Sequence, residues 1–177
     1  QSSNLKPASN KTTRLRLSTL PGFFNTPVQI CFRDGSDAHL VNMSIRGAQG
    51  MHCAVHIQGA TVRMDGCCVQ AAGGAGHGCA AVKVDGGGKS RDISRLEAHD
   101  SIFHSSWVGL QVQGGGRALL EGTWCEENAV SGWVVRDEYR SLKAQGGSAS
   151  WNGGDNMQIL GGAAAEFVGS KVEESEG

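Results

Sequence analysis

Acidic side chains are the first candidates for chemistry in this sequence, because several aspartates fall beside short apolar stretches in the middle of the chain. They are Asp65, Asp85, Asp92 and Asp100, and the basic Lys83 and Arg91 are close to them. A cluster of carboxylates can hold Ca²⁺, and a neighbouring lysine or arginine can act as a base. An aspartate at a tight turn equally accepts hydrogen bonds from the amides of that turn. We favour the turn interpretation, and we predict no metal site and no cofactor.

The six cysteines offer a second possible chemistry. Cys53 and Cys79 precede similar stretches and have His52 and His77 beside them, so a zinc site and a disulfide are both candidates. No Cys-x-x-Cys pair is present, and the spacing is irregular for zinc. A buried thiol also packs like a small apolar side chain. We interpret the cysteines, Cys67 among them, as buried thiols in a column of small residues.

A phrase that recurs about every 25 residues is more informative about the fold. Its first half is apolar–x–apolar followed by a Gly-rich turn, and its second half is Gly or Asp, a small residue, x and an apolar residue. The first half occurs as Val28-Gln29-Ile30, Val55-His56-Ile57, Val82-Lys83-Val84, Leu110-Gln111-Val112, Trp133-Val134-Val135 and Met157-Gln158-Ile159. Self-similarity at this period is the signature of a stacked repeat, or solenoid.

Short strands followed by corners in every repeat predict an all-β fold, a parallel β-helix of about six coils. Each strand is expected to pair with its equivalent one coil away, so that like residues stack in columns. The predicted inward columns are Val28/Val55/Val82/Leu110/Trp133/Met157 and Ile45/Val69/Phe103/Cys125/Val172. Residues 1–27 are predicted to form an N-terminal cap segment that leads into the first coil, and residues 28–177 the β-helix.

The last repeat stops without a capping segment. Solenoids need polar caps, because an open end exposes strand edges and core. We therefore expect the β-helix to continue beyond residue 177, or the last inward side chains of the β-helix to be covered by another subunit or a second copy of the chain.

Two sequence motifs and one turn of the repeat are characteristic enough to compare with known repeat families. They are Gly109-Leu110-Gln111-Val112-Gln113-Gly114-Gly115, then Ala118-Leu119-Leu120-Glu121-Gly122, and the turn at Asn128 before Gly132. In these features the chain resembles the right-handed parallel β-helix repeats of the pectin-lyase-like superfamily, over roughly residues 28–177. The resemblance implies a right-handed helix. The superfamily contains polysaccharide lyases and hydrolases, and also non-catalytic members in scaffolding and cytoskeletal proteins.

Gly76-His77-Gly78 is similar to a motif of polygalacturonases, which are also β-helix enzymes. Those enzymes carry Asn-Thr-Asp, Asp-Asp and Arg-Ile-Lys as well, and none of these occurs here. Cleavage of a glycosidic bond needs carboxylates held a few ångströms apart. Arg136-Asp137-Glu138 supplies adjacent acids, but without a matching acid in a neighbouring repeat. We therefore predict no catalytic residue and favour the non-catalytic branch of the superfamily.

The side chains expected to face outwards from the first strand of each coil form a polar row. We predict a partner-binding surface made of His56, Lys83, Gln111 and Gln158, together with the aromatic Trp107 and Trp151. Exposed aromatic side chains anchor protein contacts and also stack on sugars. A solvated face contains polar side chains in any case, so the row alone does not distinguish a binding surface from an ordinary exterior.

The predicted function is that of a non-catalytic structural scaffold that mediates protein–protein interaction within a larger assembly, with other protein subunits as partners. The alternative is a carbohydrate-active β-helix, either lyase- or hydrolase-like or a sugar-binding module, with polysaccharide as the partner. Nucleic acid is not expected, because 16 basic residues balance 17 acidic ones without a basic stripe. A membrane span is not expected, because no apolar run approaches about 18 residues.

Overall fold

The structure of the chain, a computed structural model, describes residues 14–18, 29–48, 50–71, 79–86, 93–136 and 140–173. Within these ranges the regular elements are all β-strands, nineteen in number. No helix in the described ranges is long and apolar enough to cross a membrane. Most of the predicted cap segment 1–27, the Gly76-His77-Gly78 motif, Arg91 and Asp92 lie outside the described residues.

The strands form three sheets, which the chain visits in turn. Sheet I contains β2 (Ile30–Arg33), β5 (Cys53–Gln58), β8 (Ala80–Asp85), β11 (Val108–Gln113), β14 (Ser131–Arg136) and β17 (Met157–Leu160). Sheet II contains β1 (Arg14–Ser18), β3 (Asp37–Val41), β6 (Thr61–Asp65), β9 (Arg95–His99), β12 (Arg117–Glu121), β15 (Arg140–Gln145) and β18 (Ala164–Val168). Sheet III contains β4 (Ser44–Arg46), β7 (Cys68–Gln70), β10 (Ile102–His104), β13 (Trp124–Glu126), β16 (Ser148–Ser150) and β19 (Lys171–Val172).

Neighbouring strands within each sheet run parallel, because each pairs with its equivalent one turn away. The described chain is therefore a parallel β-solenoid of about five turns. This confirms the predicted all-β solenoid in the part of the chain that the structure describes. Side chains alternate in and out along each strand, so the inward sets of the three sheets meet in one elongated core.

The predicted inward column of sheet I is confirmed from the second turn onwards. Its members in consecutive register are Val55, Val82, Leu110, Trp133 and Met157. All but the last are fully buried. Burial of a large apolar side chain stabilises the fold by about 1.5–3 kcal/mol, so this column alone fixes much of the stacking.

The prediction of the first member of that column was wrong. Ile30, and not Val28, pairs with Val55, which moves the first turn by two residues. The shift places Phe32 opposite Ile57, where its ring is buried in the core. Apolar residues at alternate positions made both registers compatible with the sequence, and packing of the larger side chain favours the second.

The inward column of sheet III is confirmed for Ile45, Val69, Phe103 and Cys125. The next position is occupied by Ala149, which pairs with both Cys125 and Val172. The predicted column had no member from this turn. Two adjacent glycines with positive φ, at +63° and +74°, suit the same corner, so the repeat pattern could not choose between the two registers.

Candidate functional site

The outer face of sheet I carries the predicted polar row. The strand registers place the following residues side by side: Cys31, His56, Lys83, Gln111, Val134 and Gln158. Cys31 occupies the place that the repeat had predicted for Gln29. Neighbouring strands lie about 4.8 Å apart, so the four predicted row residues share one face along the solenoid axis.

Hydrogen bonds fix the polar side chains at the centre of this row. The Lys83 Nζ lies 3.5 Å from Asp85 Oδ2, which also accepts a hydrogen bond of 3.1 Å from Gln113 Nε2. Gln111 Nε2 donates to Gln113 Oε1 at 2.6 Å. These contacts hold Lys83 and Gln111 in place before any partner arrives, which lowers the entropic cost of binding.

A cleft of about 280 Å³ lies over this row, and we call it the sheet I cleft. It is lined by His52, Lys83, Trp107, Val108, Gln111, Val130, Ser131, Val134, Arg136 and Gln158. The structure thus brings Lys83, Gln111, Gln158 and Trp107 together in one cleft. His56 stands in the same row but does not line the cleft, and Trp151 lies elsewhere.

The floor of the sheet I cleft is apolar. Trp107 packs against a cluster of Cys53, Ala80, Val108 and Val134, which is separate from the core of the solenoid. Burial raises the pKa of the Cys53 thiol, so this side chain remains neutral and behaves as a small apolar group. An apolar floor beneath a polar row is the arrangement typical of binding surfaces.

Two buried polar atoms near the cleft have no hydrogen-bond partner among the described residues. They are the Ser131 hydroxyl, on a residue with no exposed surface, and the Nε2 of His56. Burial, and then the charge of Lys83, lower the pKa of His56, so its ring is neutral at neutral pH. An unsatisfied buried polar group costs about 1–3 kcal/mol and calls for an explanation.

The corner between sheets III and I is held by a ladder of buried asparagines. The backbone N–H of Ser106 donates to Asn128 Oδ1 at 3.2 Å, and that of Asn128 donates to Asn152 Oδ1 at 2.9 Å. Asn152 N–H donates in turn to Asn156 Oδ1 at 3.3 Å. The side-chain amides extend the ladder, since Asn128 Nδ2 donates to Asn152 Oδ1 at 3.0 Å and Asn152 Nδ2 to Asn156 Oδ1 at 2.6 Å. Successive turns are thereby locked together at this corner.

Glycines make room for the ladder. A Cβ on Gly109 would lie 2.9 Å from Asn128 Nδ2, and a Cβ on Gly132 would lie 2.9 Å from Asn152 Nδ2. Both glycines also approach a backbone oxygen within 2.8 Å of such a Cβ. The asparagine and the glycine of each turn therefore depend on one another.

Trp151 projects from this corner and is 69% exposed. Its backbone is left-handed, with φ of +57°, as is that of Ser105 at +47° and Glu127 at +54°. Trp151 is not part of the strand that precedes it, because Ser150 pairs with Glu126 and Trp151 follows it in the turn. A left-handed non-glycine residue costs energy and persists only where its surroundings fix it. Asn152, the next residue, supplies that constraint.

The described candidate calcium ligands do not form one cluster. Asp65 ends β6 in sheet II and Asp100 follows its register partner His99 on the next turn, whereas Asp85 ends β8 in sheet I. Burial pushes the pKa of Asp65 upwards, but hydrogen bonds from His39 at 2.5 Å and Arg63 at 3.1 Å outweigh it and hold the pKa below its usual value. No group of three or more metal-ligating side chains is found in the ranges the structure describes.

All six cysteines are free thiols. Cys53 pairs in register with Ala80, so Cys79 is not its counterpart in the next turn. Cys68 lies 3.1 Å from His104 Nε2, and His104 Nδ1 lies 2.9 Å from Ser105 Oγ. Burial raises the pKa of the Cys68 thiol, which leaves it protonated at neutral pH and a poor nucleophile.

A larger hollow of about 520 Å³ lies on sheet II, where β15 has an irregularity between Arg140 and Leu142. Two of the charged residues that line it already have partners: Arg95 is 2.8 Å from Glu97, and Lys143 is 3.1 Å from Glu166. None of the predicted site residues lines it. The sheet I cleft is the better candidate, because several predicted residues and an unsatisfied hydroxyl converge there.

The sequence repeat missed Ser131, Arg136 and the asparagine ladder. The ladder had a detectable signal, because Asn128 and Asn152 stand in equivalent repeats and each precedes a glycine-containing stretch. Ser131 had none, since an isolated serine in a repeat of small residues says nothing about whether its hydroxyl is satisfied.

The sequence matches no protein-family model, and comparisons with curated proteins and with solved structures find no match.

Proposed function

We propose that this chain is a non-catalytic structural scaffold that mediates protein–protein interaction within a larger assembly. The contact surface is the outer face of sheet I together with the corner between sheets III and I. The proposal includes a right-handed β-helix of six coils in the non-catalytic branch of the pectin-lyase-like superfamily. The phrases around Gly109 and Asn128, and the three short strands in each turn, support that assignment.

The observation that carries the proposal is the exposed Trp151 on a rigid corner. Tryptophan is enriched among the few residues that supply most of the energy of protein interfaces. A side chain on an ordered backbone needs less additional ordering when a partner binds. The asparagine ladder next to Trp151 orders the backbone at this corner.

The outer face of sheet I supports the same conclusion. Its row joins cationic, amide and apolar side chains in Lys83, Gln111, Val134 and Gln158, with Trp107 at one edge of the cleft. Protein interfaces combine a partly apolar centre with a polar rim in this way.

Site-specific photo-crosslinking tests the proposal. A photoreactive residue is introduced at Trp151 or at Gln158, and a control is introduced at Glu166, which is exposed on sheet II. We expect one polypeptide from the native cells to be captured at positions 151 and 158 and not at 166, with competition by unlabelled protein. Trp151→Ala should weaken binding of that purified polypeptide by at least about tenfold, the effect typical of an interface anchor. Absence of a common protein adduct at the two positions contradicts the proposal.

The second candidate is a carbohydrate-active β-helix. It is favoured by the amides of Gln111 and Gln158 beside Trp107 in one cleft, since amides bind hydroxyl groups and indoles stack on sugar rings. Incubation of the chain with polyuronates, with and without Ca²⁺, distinguishes the two functions. We expect neither cleavage nor retention. Cleavage that is lost in His77→Ala, or in the Asp85→Ala/Asp92→Ala double variant, would establish the second candidate instead.

A further inference from the structure

We infer that the sheet I cleft receives an extended acidic peptide segment of the partner protein, with an aliphatic side chain of that segment on the cleft floor. The inference rests on the proposed role in protein–protein interaction and adds the chemistry of the partner.

The charge of the lining favours an acidic ligand. Lys83 and Arg136 line the cleft, and no carboxylate is among the described lining residues. Asp85, 3.5 Å from Lys83 Nζ, neutralises part of the charge of that lysine.

The strand registers give the spacing of the two cations. Lys83 in β8 is aligned with Gln111 in β11 and, one strand further, with Val134 in β14. Arg136 lies two residues after Val134 in β14, so it is two strands and two residues away from Lys83. With strands about 4.8 Å apart and about 3.3 Å per residue, the two Cα atoms are roughly 12 Å apart. An extended peptide spans that distance in about four residues, and side chains four positions apart lie on the same face of it, which predicts two acidic residues four positions apart.

The hydrogen-bonding capacity of the lining suits an extended acidic peptide. Lys83 and Arg136 only donate, and carboxylate side chains only accept, so the two cations match acidic residues. Gln111, Gln158 and Ser131 can donate and accept, so they can pair with both the N–H and the C=O groups of a peptide backbone.

Ser131 is the independent observation that points to a ligand. Ser131 lines the cleft, and its buried hydroxyl has no hydrogen-bond partner among the described residues. A carbonyl or carboxylate oxygen that reaches it would accept a hydrogen bond from it and remove the cost of leaving it unsatisfied. Beside it, Val108, Val130 and Val134 form a floor suited to an aliphatic side chain.

Selection from a phage-displayed library of random peptides on the full 177-residue chain tests the inference. The enriched peptides are then synthesised, labelled with fluorescein and titrated by anisotropy against four proteins: wild type, Ser131→Ala, Lys83→Gln/Arg136→Gln, and the matched control Arg46→Gln/Arg117→Gln. The control removes the same charge from exposed positions on sheets III and II.

We expect the enriched peptides to carry two acidic residues four positions apart, with an aliphatic residue midway between them. Their affinity should fall at least tenfold in Lys83→Gln/Arg136→Gln and severalfold in Ser131→Ala, and change less than twofold in the control. Ser131→Ala should melt at or above the wild-type temperature, because it deletes an unsatisfied group. This result separates a lost ligand contact from a damaged fold.

Other outcomes overturn the inference. They are selection of neutral or basic peptides, equal losses in the cleft variant and in the control, no enrichment, and binding of an oligosaccharide that the cleft variant abolishes. If peptides bind and Trp151→Ala abolishes binding while the cleft variant does not, the cleft assignment fails and the proposed protein-interaction role stands.

Discussion

Asn128 satisfies several groups at once that the corner between sheets III and I would otherwise leave unpaired. It accepts from Ser106 N–H and donates 3.2 Å to the carbonyl of Phe103 and 3.0 Å to Asn152 Oδ1. An aspartate cannot donate, and a serine hydroxyl has one proton to donate, so neither can bond to both of these oxygen acceptors. The amide is therefore required for its chemistry as well as for its size.

Asn128→Ala should lower the free energy of unfolding by about 2–4 kcal/mol, because several buried groups lose their partner at about 1–3 kcal/mol each. Urea denaturation measures this change. The control Glu126→Ala, on the outer face of sheet III, should change stability by less than about 0.5 kcal/mol. Equal effects of the two substitutions would show that the ladder does not hold the corner.

His56 makes stability depend on pH. Burial and Lys83 lower its pKa below the ordinary value of about 6.5. The folded state thus binds fewer protons than the unfolded state in this range, so the contribution of His56 is fully present above pH about 6.5 and is lost as pH falls below it. The melting temperature of the wild type should therefore drop more between neutral pH and mildly acidic pH than that of His56→Gln. Lys83→Gln should give an intermediate drop, because burial of the ring remains. Parallel pH profiles of the three proteins would contradict this assignment.

At the scale of the strand, alternation decides which side chains each sheet buries. In β8, Val82 is fully buried while the adjacent Lys83 is partly exposed on the other face. Each strand is short, and parallel pairing to both neighbours places its inward residue between two others of the same column. A change at one inward position therefore affects three turns.

Val82→Asp should unfold the middle turns, because it deletes a buried apolar side chain and places an unpaired charge in the core. Lys83→Asp introduces the same residue one position along the strand and should leave the fold intact. Circular dichroism and hydrogen exchange of the two variants make the comparison. A folded Val82→Asp variant with β11 still protected would mean that the column does not face the core.

At the scale of the whole molecule, the solenoid is better covered in its middle than at its last described turn. Ile159 is 40% exposed, whereas Val135, its partner in the preceding turn, is fully buried. Val172 is 45% exposed, whereas Ala149 beside it is fully buried. Among the described strands, β17, β18 and β19 are the edge strands of the three sheets at this end, and a sheet edge favours pairing with another chain.

The 177-residue polypeptide should therefore self-associate in solution through this turn. Ile159→Lys/Val172→Lys should shift it towards monomer in analytical ultracentrifugation, since charge on an edge opposes pairing. Ile93→Lys, at a residue that is 52% exposed elsewhere, is the control and should leave association unchanged. A stable wild-type monomer whose last turn is protected from hydrogen exchange would remove the basis for this prediction.

The sequence by itself determined the repeat, the all-β class, the parallel stacking and most of the inward columns. These follow from local periodicity, because a strand that alternates in and out must bury its apolar side. It also determined that Lys83, Gln111 and Gln158 share a face. The sequence did not determine the strand register at Ile30 or at Ala149. Alternate apolar residues near Ile30 and the two adjacent glycines before Ala149 each fit two alignments equally well.

Only the tertiary structure decided what surrounds each polar atom. The sheet I cleft, the unsatisfied Ser131 hydroxyl and the position of Trp151 in a turn depend on contacts between residues about 25 positions apart. A hydrogen bond needs its two atoms within about 3 Å, and a repeat pattern fixes positions only to about one residue. For this reason the pattern predicts the face on which a site lies, and three-dimensional packing determines what that site can bind.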